Sequence, residues 1–387
     1  MKEIIKIERK RILNKKFLIL FFVVLLLFSV NNSYYAVKNY DVLNNTGVVQ
    51  TWKENLTHGK ENTKVKFLKE DYLLSLKNKE ESSSYVDETN LEDLVAMNYD
   101  GKKVQDLSDK EIKSFYSKRL SNIQEMLDDS SRINYTKSEK EKMMEQAGQL
   151  SSPIPMDYAE GWKVLNENMR KFMPLLLVLI ALILLPLFGS EPQTKMKDLY
   201  RSTRYGKKKL DRARLITAFM VGIVLYLFGV MLYTIVMMTP FGWEGGSQPI
   251  QSNAATFFSV YNITYIQQIG INVLIGLLAM IFLIALTLLL TILTEGVMTG
   301  AVIIIFFWIL LLLFDQIPLY PVNHLFANFM PLRMTDFLHY YTENDIYRIM
   351  GNSFTGLSWT ALVSAVLSIL LLILAVVFSD MKRMKKL

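Results

Sequence analysis

The sequence predicts an all-α membrane protein: six transmembrane helices with a mostly helical extracellular domain inserted between helices 1 and 2. Three observations predict it. Six stretches of the 387 residues are nearly free of charge and approach the ~20 apolar residues that cross ~30 Å of hydrocarbon at ~1.5 Å per residue. Lys and Arg crowd three places beside those stretches, namely 1–16, 195–214 and 382–386, while 239–268 holds neither. The long segment between the first two stretches is polar and carries helix-start signals.

Residues 1–16 read as a basic amphipathic helix on the inner membrane face, with Ile5, Glu8, Arg9 and Ile12 as the candidate residues of this cytoplasmic interface helix, its apolar side toward lipid or a neighbouring helix and its basic side toward phosphates. The first span is placed at 17–36, where a short apolar run borrows Tyr34, Tyr35 and Ala36. A cleaved signal peptide would need small residues at −3 and −1, and Ser29-Val30-Asn31 and Ser33-Tyr34-Tyr35 supply poor sites. Because Lys and Arg stay on the cytoplasmic side, both termini and 190–214 are expected inside and 37–170 outside a plasma membrane crossed several times.

Within 37–170, Ser108 with Glu111 and Thr136 with Glu139 have capping-box spacing. Ile112, Phe115, Tyr116, Leu120, Ile123 and Leu127 then follow a 3.6-residue period and predict one amphipathic helix. Thr89 with Glu92 suggests a shorter helix, and Lys77–Ser84 a loop. Ser151-Ser152-Pro153-Ile154-Pro155 breaks the chain before a helix from about Tyr158 into the second span. Across 31–75 no period dominates, although Val48–Trp52 admits a helix.

The remaining spans are expected at 171–189, 215–238, 269–293, 297–314 and 356–379, separated by a cytoplasmic loop at 190–214 and extracellular loops at 239–268 and 315–355, with a tail at 380–387. The short turn at Thr294-Glu295-Gly296 makes the fourth and fifth spans antiparallel neighbours.

Chemistry is sparse. The chain has no phosphate-binding GxxxxGK[ST] loop, no HExxH, no Gly-x-Ser-x-Gly elbow and no Cys. His58, His324 and His339 lack metal-ligand spacing, so no catalytic or metal-binding residue is expected. The net charge of +7 lies beside the spans and points to membrane lipid rather than nucleic acid. Phe257, Phe258, Tyr261 and Trp243 are candidates for contact with an amphipathic ligand, or else form an interfacial aromatic belt.

The most informative segment is Phe188 to Leu215. Met196, Leu199, Tyr200 and Thr203 form one semi-apolar stripe of a helix over 194–205, Lys195, Lys197, Arg201 and Arg204 flank it, and Gly206 suits a left-handed C-cap. Such a helix fits a partner's groove or anionic lipid. The segment resembles the first cytoplasmic loop of ABC-2 type transporter permeases, through Glu191 closing the second span, Ser202-Thr203-Arg204-Tyr205-Gly206-Lys207, and Arg212 or Arg214 opening the third. The run Ile7-Glu8-Arg9-Lys10, the layout of one span, a large exterior domain and five spans, and Asp157-Tyr158-Ala159-Glu160-Gly161-Trp162 are similar too, the last as in permeases of low-GC Gram-positive bacteria.

The resemblance implies a half-transporter that pairs with a second permease subunit, identical or related, and sits on separate ABC ATPase subunits. ATP and Mg would bind those partners, no cofactor would bind this chain, and the 194–206 helix would couple the two. The implied function is export or extraction of a peptide, antimicrobial or lipid-like substrate. Two other readings are a non-transporting sensor or scaffold whose exterior domain binds a ligand, and, weakest, a membrane-embedded enzyme.

Overall fold

The structure, a computed structural model, describes residues 2–44, 66–77, 86–131, 133–156, 158–189, 206–294, 296–314, 333–349 and 351–384. It is mostly helical. Among the described residues four helices are long and apolar enough to cross a membrane, over Lys15–Asn39, Lys209–Met238, Tyr265–Thr294 and Gly356–Phe378. This is a membrane protein.

The basic N-terminal segment is two pieces rather than one. Helix α1 (Lys2–Ile12) stops, and α2 (Lys15–Asn44) begins where the Asn14 side chain accepts a hydrogen bond from the Lys16 amide at 3.2 Å. Asn14 thus serves the orphan N–H groups of the new helix. α2 runs eight residues past the expected end of the span at 36. Its outward side chains, Leu26, Leu27 and Val30 among them, are exposed apolar groups suited to lipid.

The inserted domain is tied at its root by two short antiparallel strands, β1 (Lys66–Phe67) and β2 (Pro155–Met156). Between them lie α3 (Glu70–Lys77), α4 (Val86–Asn98), α5 (Asp109–Lys113), α6 (Phe115–Asp128) and α7 (Lys137–Gly148). Both capping boxes form. The Glu111 amide donates to Ser108 Oγ and the Ser108 amide returns a bond to the Glu111 carboxylate at 2.7 Å, which with the Ser108 hydroxyl pulls the Glu111 pKa down to about 2. Thr136 and Glu139 repeat the arrangement at α7.

Two expectations need correction. The single helix from Ser108 to Leu127 is broken at Ser114, whose hydroxyl bonds back to the Glu111 carbonyl at 3.0 Å and competes with the helical ladder. Helix α4 already runs from Val86, so Thr89 lies inside it and not at its cap. The periodic residues nonetheless face inward: Ile112, Phe115, Ile123 and Leu127 are buried. Val48–Trp52 lies outside the described residues.

Helix α8 (Glu160–Leu184) and the short α9 (Pro186–Gly189) follow. Pro186 at the first position of α9 has no N–H to continue the α8 ladder, which separates the two. α8 is the centre of the bundle, buried by α2, α10 (Gly206–Met238), α11 (Tyr265–Thr294) and α12 (Val297–Phe314). Phe172 of α8 stacks on Tyr233 of α10 with ring centroids 4.0 Å apart. Where α10 crosses α11, a Cβ on Gly276 would come within 2.4 Å of the Tyr226 hydroxyl, so the missing side chain permits the approach.

The chain then forms α13 (Phe337–Thr342), a hairpin of β3 (Ile346–Ile349) and β4 (Asn352–Thr355), and α14 (Gly356–Met384), which packs along α11. The loop between α10 and α11 inserts Phe257 and Val260 into the two apolar clusters of the domain. Domain, loop and hairpin are therefore one packed unit at the far end of the bundle.

Candidate functional site

At the basic end, α1 is fastened by charge. Glu8 lies one turn before Ile12 on the inward face of α1, and its carboxylate meets Arg214 Nε of α10 at 3.3 Å and Arg11 Nη1 at 3.2 Å. Glu8 is 4% and Arg214 2% exposed. Arg11 also donates through Nη2 to the carbonyls of Pro186 and Leu187 at 2.8 and 3.1 Å, taking up acceptors at the break between α8 and α9. One short helix thus joins the end of the second expected span to the base of the third.

Several expected site residues are placed differently. Glu8 and Ile12 are buried within this chain, Ile5 is half-buried and Arg9 is exposed, so of the four only Arg9 fully faces outward. Their stripe turns inward because Glu8 is matched by Arg214. Of the two basic residues considered for the opening of the third span, Arg214 is buried and paired while Arg212 is exposed. Gly206 and Lys207 belong to the first turn of α10, and the segment before them lies outside the described residues. The helix extends below the expected 215 because Leu210, Ala213 and Arg214 gain burial against neighbouring helices. Glu191, Met196, Leu199, Tyr200, Arg201, Thr203 and Arg204 lie outside the described residues.

The far end is fastened by packing and carbonyl capture. Arg119 of α6 is 2% exposed and donates through Nε to the Phe257 carbonyl at 2.9 Å, through Nη2 to Ser259 at 3.1 Å and through Nη1 to Ala147 at 3.4 Å. Its guanidinium also lies 5.5 Å from the centre of the Phe257 ring. Burial lowers its pKa to about 10, which leaves it charged at neutral pH. Sequence reasoning missed Arg119, because an Arg inside a polar helix looks like an ordinary surface cation.

The hairpin is joined to α7 by Arg348, whose Nε meets Glu139 Oε1 at 2.9 Å and whose Nη2 meets Oε2, while Ser353 adds a third donor. These bonds, with burial opposing, hold the Glu139 carboxyl well below its ordinary pKa. On α13, His339 Nε2 lies 2.7 Å from the buried Asp345 carboxylate. Burial works against its protonation, but the hydrogen bond and charge of Asp345, with Asp336 and Glu343 behind them, outweigh it and raise the pKa.

A small polar network links the helices just inside this platform. Asn272 of α11 donates to Asn166 of α8 at 3.1 Å and accepts from Tyr341 of α13 at 2.9 Å. Asn272 in an apolar span is a signal available in the sequence, since a polar group at that depth needs a partner.

The four aromatic candidates separate. Phe257 is fully buried in the domain core, 5.8 Å from the ring of Phe115, and is not a contact for a ligand. Phe258 is half-buried between the two domain clusters. Tyr261 packs edge-on against Tyr341 and lines a groove beside α7. Trp243 is 51% exposed, and its carbonyl accepts the Trp162 indole N–H at 3.0 Å. This exposed pairing at the end of the bundle suits an interfacial belt.

Charged joints thus occur at both ends, and a groove lies beside α7 at the far one. Compared with protein-family models, curated proteins and solved structures, this chain matches none.

Proposed function

We propose that the chain is the permease subunit of an ATP-driven exporter. It moves or extracts a peptide, antimicrobial or lipid-like substrate, with ATP and Mg held by separate ATPase subunits and a second permease subunit completing the path. In this reading it lies in the plasma membrane of a Gram-positive bacterium with both termini in the cytoplasm, six spans, and the domain outside. The observation that carries the reading is the Glu8–Arg11–Arg214 joint. It braces the two chain segments that flank 190–205, so a push on that segment reaches both helices together. Coupling of this kind requires an element that both nucleotide and cargo bias.

The test is reconstitution. The solubilised chain should co-purify with a separate ATPase, and the double reversal Arg201→Glu/Arg204→Glu should leave ATP hydrolysis running while cargo flux is lost. Undiminished flux per ATP in that variant would falsify the proposal.

A further inference from the structure

A groove of about 740 Å³ lies between α7, Tyr261 and the β3–β4 hairpin, within the size range of small-molecule sites. We propose that it holds the headgroup of an anionic phosphate-bearing lipid drawn from the surrounding membrane. Position is the first argument. Thr355 lines the groove and directly precedes Gly356, where the apolar span of α14 begins. Tyr261 lines it four residues before Tyr265, where α11 begins. The hairpin rises from there by about 13 Å over its four-residue strands. The groove is therefore rooted where two spans leave the bilayer.

Charge is the second argument. Among the described residues the only carboxylate lining the groove is Glu139, and both its oxygens are taken by Arg348, with Ser353 and the Thr136 amide adding donors. Lys142 lines the same groove and makes no ion pair among the described residues, and Arg348 keeps its Nη1 without a hydrogen bond among them. The surplus is cationic, and it is presented by two side chains able to donate to a phosphate oxygen. Ser138 and Gln146 add neutral donors for glycerol or sugar hydroxyls, while Met143, Val260 and Phe354 give an apolar wall for the ester end.

An occupant would touch α7 and the hairpin together, and so the domain and α14 together. The site goes beyond the transport reading and stands without it, because its test reads binding and not flux.

The chain has no Cys, so Asn352→Cys gives a single attachment point for an environment-sensitive fluorophore at the groove rim. In neutral detergent, short-chain phosphatidylglycerol should shift its emission saturably. Short-chain phosphatidylcholine and inorganic phosphate should each bind about tenfold more weakly or worse. Lys142→Glu should weaken phosphatidylglycerol by about tenfold or more, the scale of one lost charge-assisted bond. Lys137→Glu, on the same helix with its side chain 92% exposed and outside the groove, should leave binding unchanged. Equal loss in both variants, or a match by inorganic phosphate or by an acidic peptide, overturns the assignment.

Discussion

The two ends of the bundle are held by different physics. At the basic end a single turn of α1 is held by one buried carboxylate between two arginines. At the far end the domain shares apolar cores with the α10–α11 loop, touches the hairpin through Ile346 and adds the Arg348–Glu139 pair to that packing, and its buried cation, Arg119, is held by carbonyls. A joint made of few charges is lost whole when one partner goes, because the remaining charge is left buried. A joint made of many apolar contacts weakens in proportion to the atoms removed. The first suits a lever that must be able to change state, the second a platform that must not.

The largest expected effect is at the far end. Phe257→Ala should remove about 3–5 kcal/mol of stability, the range for a buried aromatic, and should loosen domain and loop together. Hydrogen exchange over 112–127 and 250–263 should rise in parallel; protection retained in either segment alone would show that the platform is two bodies. At the basic end, Glu8→Ala should cost about 3 kcal/mol, the low end of the range for removing one partner of a buried pair, because the second arginine, Arg11, keeps contact with water. Protease should then cut near Leu13 far faster, with the thermal midpoint of the domain unchanged. A shift of that midpoint would break the distinction between the ends.

The smallest effect concerns pH. Because the folded pKa of His339 lies above its usual 6.5, its pairing with Asp345 contributes stability that is fully present below about 6.5 and lost as pH rises through the folded value. Glu139 has the opposite sign: its depressed pKa contributes above the ordinary carboxylate range and is lost as pH falls through the folded value. Far-end stability should thus decline on both the acid and the alkaline side. Asp345→Asn should flatten the alkaline limb alone, as read from thermal midpoints between about pH 2 and 9.

Local signals were the legible ones. Ser108–Glu111 and Thr136–Glu139 are complete within four residues, so the sequence contains everything their capping requires. Hydropathy likewise located α2, α10, α11 and α14, since an apolar run needs no partner to be recognised. Arg119 and Glu8 were harder because what makes each special is a group far along the chain: Phe257 and Ser259 for one, Arg214 for the other. The break at Ser114 was hidden because the apolar period runs through it undisturbed. Phe257 and Trp243 looked alike as aromatics in one loop, and only packing tells a core residue from a surface one.

The two-residue ladder between β1 and β2 brings the start and finish of the domain side by side. Measured by that seam alone, 66–156 has the outline of a detachable module. Yet it does not own its interior: Phe257 and Val260 enter from another loop and Ile346 from the hairpin. Excising the module would strand those side chains in water, and expressing it by itself would leave holes where they belong. Shuffling such domains between relatives would therefore have to carry three separated pieces of chain at once.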